Sequence, residues 1–265
     1  MRAASIARGI AALTALSGCA LFTSLDGFSE PDEPAVVDDG GPLVEESGPA
    51  PDAGVEAGGG FCASAPSGVF CADFDQGALA DAFEINERRG ATVRLDGAEV
   101  RSAPSAVLFT VPPSSRSTGA SLRRVLAPAT TDVTIELDVR VDQMGQGSSF
   151  DLLTVVSGGA EVGLQLNPDG TASWDEDTAG APPRETTIAG VTVAAGAWIH
   201  LRWTSRIEGA TAPTELRVDG NLVGSNTFEA TALTDVPAFF LGDQSMSNVN
   251  GEWRVRVDNL TVEVR

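Results

Sequence analysis

"VTIELDVRVD", residues 133–142, alternates without a break. Val133, Ile135, Leu137, Val139 and Val141 fall on one side, and Thr134, Glu136, Asp138, Arg140 and Asp142 on the other. A period of two with one apolar side is the mark of a strand half-buried against a core. "IHLRWTSRI", residues 199–207, repeats it with Ile199, Leu201 and Trp203 inward, which leaves His200 as a solvated strand histidine beside Arg202. "FDLLTVV", residues 150–156, is more continuously apolar and suits a strand covered on both faces. Turn chemistry separates such runs: "NPDG" at 167, "APP" at 181 and "VDGN" at 218. No window carries a helical apolar stripe. Many short strands with Gly/Pro turns predict an all-β sandwich rather than an α/β enzyme.

Two stretches constrain the register. In "LQLNPDGTASW", Pro168 and Asp169 suit a type I turn with Gly170 in the left-handed bulge position. Asn167 then pairs with Thr171, Leu166 with Ala172 and Leu164 with Trp174, so Trp174 joins the core rather than a sugar-stacking platform. A two-residue turn would shift the register by one and turn Trp174 outward. In "EWRVRVDNLTVEV", Trp253, Val255 and Val257 are out of phase with Leu260, Val262 and Val264. A bulge near Asp258-Asn259 would return both sets to one side; a strand ending at Asp258 is the alternative.

Upstream, the composition changes twice. Arg2 and Arg8 precede an apolar run from Ile10 to Leu16, too short to span a bilayer as a helix. Leu16-Ser17-Gly18-Cys19 resembles the lipobox of bacterial lipoproteins, which implies a signal peptide over 1–18 and a diacylglyceryl (and palmitate-type acyl) modification of Cys19. Two or more chains, at about 0.8 kcal/mol per buried methylene, anchor firmly. By the same resemblance Ala20, in place of an inner-membrane retention aspartate, favours the outer membrane. Residues 19–60 hold ten acidic residues and no basic one, with "EPDEP" and "DDGGP". Such a segment cannot bury enough apolar surface to offset its ordering entropy, and it is expected to be a disordered linker. With Cys19 given to lipid, Cys62 and Cys71 are left to pair in an oxidising compartment. Two buried thiols or a metal pair are the alternatives, and His200 is the only histidine available to a zinc site.

The domain, residues 61–265, is long enough for one β core. Net charge is −20 and every basic residue is arginine, so nucleic acid is excluded as a partner and a phosphate-cradling Gly-Lys loop cannot be built. The order "FCADFDQG", "PSAVLFTV…GASLRRVL", "TIELDVRV", "AWIHLRWTSRI", "TELRVDGNLVG" and "FFLGDQ…GEWRVRVDNLTVEV" resembles LamG-like, concanavalin A-like jelly-roll domains of secreted bacterial proteins. The resemblance implies a two-sheet antiparallel jelly-roll sandwich of the lectin/glucanase type, with the last strand beside the first. It also implies glycan or protein recognition, calcium-dependent adhesion, or glycoside hydrolysis. Jelly-roll glucanases carry E-x-D-x-x-E on one strand, or one residue fewer. Glu136-Leu137-Asp138 matches the first half, but the second glutamate falls at Val141 or Arg140, so the retaining pair is incomplete. "DEDTAG" from Asp175 resembles an EF-hand start but has Ala179 and Thr186 where ligands are needed.

The expectation is therefore a lipid-anchored envelope lipoprotein, not an enzyme, that binds a polysaccharide or an envelope protein. No catalytic residue, metal ligand or cofactor is assigned. Asp175, Asp177, Glu136 and Asp138 are the candidate rim for a ligand, calcium included. A purely structural envelope protein, and a jelly-roll glucanase using Glu136, are the alternatives.

Overall fold

A computed structural model of the chain describes residues 60–265 apart from 76, 129–130, 158, 179–181, 230–232 and 234–236. The signal segment, Cys19 and the acidic linker up to 59 lie outside the described residues. Strands dominate: β1 Phe70–Ala72, β2 Glu84–Arg88, β3 Thr92–Asp96, β4 Ala106–Val111, β5 Thr118–Val125, β6 Asp132–Gln143, β7 Phe150–Ser157 and β8 Ala160–Leu166. They continue as β9 Thr171–Thr178, β10 Arg184–Thr192, β11 Trp198–Arg206, β12 Thr211–Val218, β13 Asn221–Glu229, β14 Ala238–Met246 and β15 Trp253–Val264. Two antiparallel sheets result. One runs β13-β12-β11-β6-β15-β4-β3 with β1 also on β15, and the other runs β10-β9-β8-β7-β14-β5-β2. The chain is an all-β jelly-roll sandwich.

The alternating run 133–142 becomes β6, at the centre of the eight-stranded sheet between β11 and β15. Its apolar side, Val133 to Val141, is buried, and Trp203, Trp253, Phe109 and Phe150 fill the same core. The β8–β9 hairpin has Gly170 at φ 83°. The Asn167 N–H donates to the Thr171 carbonyl at 2.8 Å, Leu164 pairs with Trp174, and Trp174 is buried. In β15 the register slips between Asp258 and Thr261, with Asn259 at φ 52°. Trp253, Val255 and Val257 are buried together with Leu260 and Val262. The extra residue re-phases the strand so that both halves face one core.

Cys62 and Cys71 are joined by a disulfide with Cα atoms 5.6 Å apart. It closes the loop leading into β1, which pairs Cys71 with Thr261 of β15. Replacing both cysteines by serine is expected to lower stability by roughly 2–3 kcal/mol, the loop-closure value for so short a loop. Denaturant unfolding with and without reductant checks this: the wild type should lose stability on reduction, and the double variant should not respond.

Candidate functional site

The outward residues of the two sheets form separate polar surfaces, and the four candidate residues divide between them. Glu136 and Asp138 stand on β6 of the eight-stranded sheet; Asp175 and Asp177 stand on β9 of the seven-stranded one.

On β6, pairing with β11 sets His200 opposite Asp138 and Arg202 opposite Glu136. The His200 Nδ1 lies 3.1 Å from Asp138 Oδ1, and its Nε2 lies 3.7 Å from Glu136 Oε2. Arg202 reaches Glu136 at 3.2 Å. The second oxygen of Asp138 accepts the Asn259 amide at 2.8 Å, and Ser102 Oγ donates to Asn259 Oδ1 at 2.8 Å. Asp258, buried behind the bulge, accepts the Arg101 and Ser102 N–H groups at 3.0 and 2.9 Å. His200 is thus not a freely solvated histidine: its side chain is 37% exposed and spans two carboxylates. Sequence alternation places it outward correctly but cannot say which outward groups it meets.

The seven-stranded sheet holds a denser acidic surface, in which the expected Asp175 and Asp177 are joined by Asp151, Glu161 and Asp243, three acids that the sequence did not single out. Asp151 on β7 faces Gln165 on β8, and the two side chains are hydrogen-bonded. Asp175 on β9 is flanked by Gly163 of β8 and Glu185 of β10. Ser173 Oγ donates to Glu185 at 3.0 Å. Asp243 on β14 is buried; its carboxylate accepts the Asp151 N–H at 3.1 Å and the Ser245 N–H at 2.7 Å. Gly163 separates Glu161 from Gln165 on β8 and carries no side chain, so Glu161 feels Asp151, Asp175 and Asp177 together.

Burial sets the electrostatics. It pushes the Glu161 carboxyl up to about 7, reinforced by Asp151, Asp175 and Asp177. Burial raises Asp151 as well, with Asp175 adding and the Gln165 hydrogen bond opposing. It raises Asp243, with Asp151 adding and the two backbone N–H donors opposing. Asp175 rises through burial, then through Glu185 and Asp177. Several carboxyls therefore carry protons near neutrality and can donate as well as accept. The signal for this surface was one acid in each otherwise apolar strand, Asp151 in "FDLLTVV", Glu161 in "AEVGLQL" and Asp243 in "FFLGDQ". Among the described residues no group of three or more His, Cys, Asp or Glu side chains is arranged to hold a metal ion.

A third feature lies at the edge of the first surface. A groove of about 270 Å³ separates the disulfide loop, including Phe61 and Pro66, from Thr134, Glu136, Thr261 and Glu263 of β6 and β15.

Comparison with known proteins places this architecture. Residues 114–264 match the family model described as the concanavalin A-like lectin/glucanases superfamily. No curated protein matches the sequence. Among solved structures, the chain is similar to an endo-β-1,4-glucuronan lyase from the fungus Trichoderma reesei, at 15% identity and a TM-score of 0.54, over 72% of this chain and 94% of that one. It is also similar to Cip1, a cellulose-induced protein, at 13% identity and a TM-score of 0.57, over 73% of this chain and 96% of that one. These likenesses are of fold, and they correct the expectation that the domain is not an enzyme. That expectation rested on the incomplete glutamate pair at Glu136, which excludes only one retaining-hydrolase pattern. A fold shared with a lyase is a fold on which bonds are also broken by elimination, and elimination does not require that pair.

Proposed function

This chain belongs to the concanavalin A-like lectin/glucanases superfamily, and from that premise we propose that it recognises a polysaccharide on the outer face of its seven-stranded sheet. The observation that carries the reading is the set Asp151, Glu161 and Asp175 on that face, backed by the buried Asp243, with Glu161 held at about 7 and the other three raised by burial. Sugar hydroxyls donate and accept at once, and carboxyls partly protonated near neutrality do the same. The acidic balance of the domain and of this face disfavours polyanionic chains and favours neutral ones.

Export and anchoring complete the proposal. Acylation at Cys19 would hold the protein on a membrane, the outer one by the identity of Ala20, with residues 20–60 as the tether. Radiolabelled palmitate should enter the wild type and not Cys19→Ala.

For recognition, the full chain is passed over a panel of insoluble neutral polysaccharides. The expected result is retention on at least one, weakened about tenfold or more by Glu161→Gln or Asp151→Asn. No retention on any, or equal retention of both variants, overturns the reading.

A second reading is favoured by the same acids. A set of carboxyls with proton affinities spread around neutrality is what general acid–base cleavage uses. Incubating the protein with the retained polysaccharide, and following new reducing ends and the ultraviolet absorbance of unsaturated ends, separates hydrolysis from elimination and both from binding alone.

A further inference from the structure

We propose a second carbohydrate site on the opposite sheet, in the groove where the chain enters the domain at Phe61, built for a single neutral pyranose ring. The floor is a square of four outward side chains, because Glu136 pairs with Thr261 and Thr134 pairs with Glu263 across β6 and β15. The wall is the loop from Phe61 through Pro66, and its position is fixed from several sides. The Cys62–Cys71 disulfide ties it to β1. The Cys62 N–H donates to Asp73 at 3.4 Å, and the Ala65 and Val69 N–H groups donate to the Cys62 and Pro66 carbonyls at 3.1 and 3.2 Å. The groove is therefore preformed, and a ligand need not pay to order it.

Three properties define the ligand. The first is size: about 270 Å³ lies just below the usual range of ligand pockets, which begins near 300 Å³, so the groove suits one ring rather than a run of polymer. The second is charge. Each carboxylate already has an arginine, Glu136 with Arg202 at 3.2 Å and Glu263 with Arg265 at 2.7 Å. The local charges cancel, leaving hydrogen-bonding capacity without a net field for an anion or an ammonium group. The third is the mixture of surfaces. Phe61 is 38% exposed, one of few large apolar side chains left so open, and it lines the groove together with Thr134 and Thr261. A pyranose has the matching pair of surfaces, a C–H face and a hydroxyl rim. His200, 3.7 Å from Glu136 on the side away from Arg202's partner oxygen, helps fix the carboxylate.

This site does not depend on the acidic face of the other sheet, and its test is arranged so that the two can fail separately. Saturation-transfer NMR on the full chain is run with methyl pyranosides of glucose, galactose, mannose and N-acetylglucosamine, with methyl glucuronide and choline as charged probes. Each measurement is made on the full chain carrying Glu161→Gln and Asp151→Asn, which takes the seven-stranded face out of the readout. The expected result is saturable, millimolar binding of a neutral pyranoside, weakened about tenfold or more when Phe61→Ala or Thr261→Val is added. Phe61 is at the surface, so its variant should keep the wild-type circular dichroism, and reduction of the disulfide should reproduce its loss. Binding of no neutral pyranoside, binding that survives both groove substitutions, or preference for a charged probe overturns the proposal. Retention on polysaccharide that persists in Phe61→Ala would leave the seven-stranded face standing on its own.

Discussion

Trp253→Ala is expected to destabilise the domain by about 3–5 kcal/mol, the range for truncating a buried aromatic. The side chain is fully buried on β15, its ring lies 5.7 Å from that of Phe150, and its Nε1–H donates to the Ser148 carbonyl at 3.2 Å. Gly145 packs against the ring so closely that a Cβ there would fall 2.3 Å from it. Truncation would leave a cavity between the two sheets and an unpaired carbonyl at Ser148, and the rigid strand backbones on either side cannot collapse to close it. Set against a typical stability of 5–15 kcal/mol, that loss is large. Guanidinium unfolding reads it as a lower midpoint at unchanged slope. Trp253→Phe, which keeps most of the volume and loses the hydrogen bond, should cost clearly less. A loss under about 1 kcal/mol for the alanine variant would contradict the packing described here.

What the sequence makes legible is local. The hairpin around Gly170 can be read because turn type sets register within eleven residues, and Trp174 is buried as that register requires. The bulge at Asp258–Asn259 can be read because two apolar phases must share one core. The acidic surface cannot be read this way. Asp151, Glu161 and Asp243 come from β7, β8 and β14, and their meeting depends on β7 lying between β8 and β14. That is a long-range fact of topology which alternation does not encode. Alternation says that a residue points outward; strand order says which outward residues become neighbours. The same holds for His200, whose place beside Asp138 follows from the pairing of strands separated by more than fifty residues. The groove at Phe61 needs a third ingredient, the disulfide loop laid against β15.

The same topology predicts an unusual pH dependence. Glu161 has an ordinary value of 4.5 and is pushed up to about 7 in the folded domain, and Asp151, Asp175 and Asp243 are raised too. A raised carboxyl binds its proton more tightly folded than unfolded. Its contribution is complete below the unfolded value and is lost as pH rises through the folded one. Over about pH 4.5 to 7 the Glu161 share alone would reach a few kcal/mol at about 1.4 kcal/mol per unit, and its partial exposure cuts this to roughly 1–2 kcal/mol. Asp96 works in the opposite sense. Arg256 bonds it at 2.7 Å and holds its carboxyl below the usual range, so its contribution is lost only as pH falls below the ordinary aspartate value. Wild-type melting temperature should therefore peak in mild acid and fall towards pH 8. Glu161→Gln removes one of the charges that crowd together at high pH, so it should melt higher than wild type at pH 8 and equal it near pH 4.5. At about 2–4 °C per kcal/mol for a domain of this size, the difference should be several degrees. Thermal melts of both proteins across that range decide the matter. A wild type that gains stability from pH 5 to 8, or a variant whose advantage is the same at both ends, would mean that these carboxyls are not held protonated by their burial.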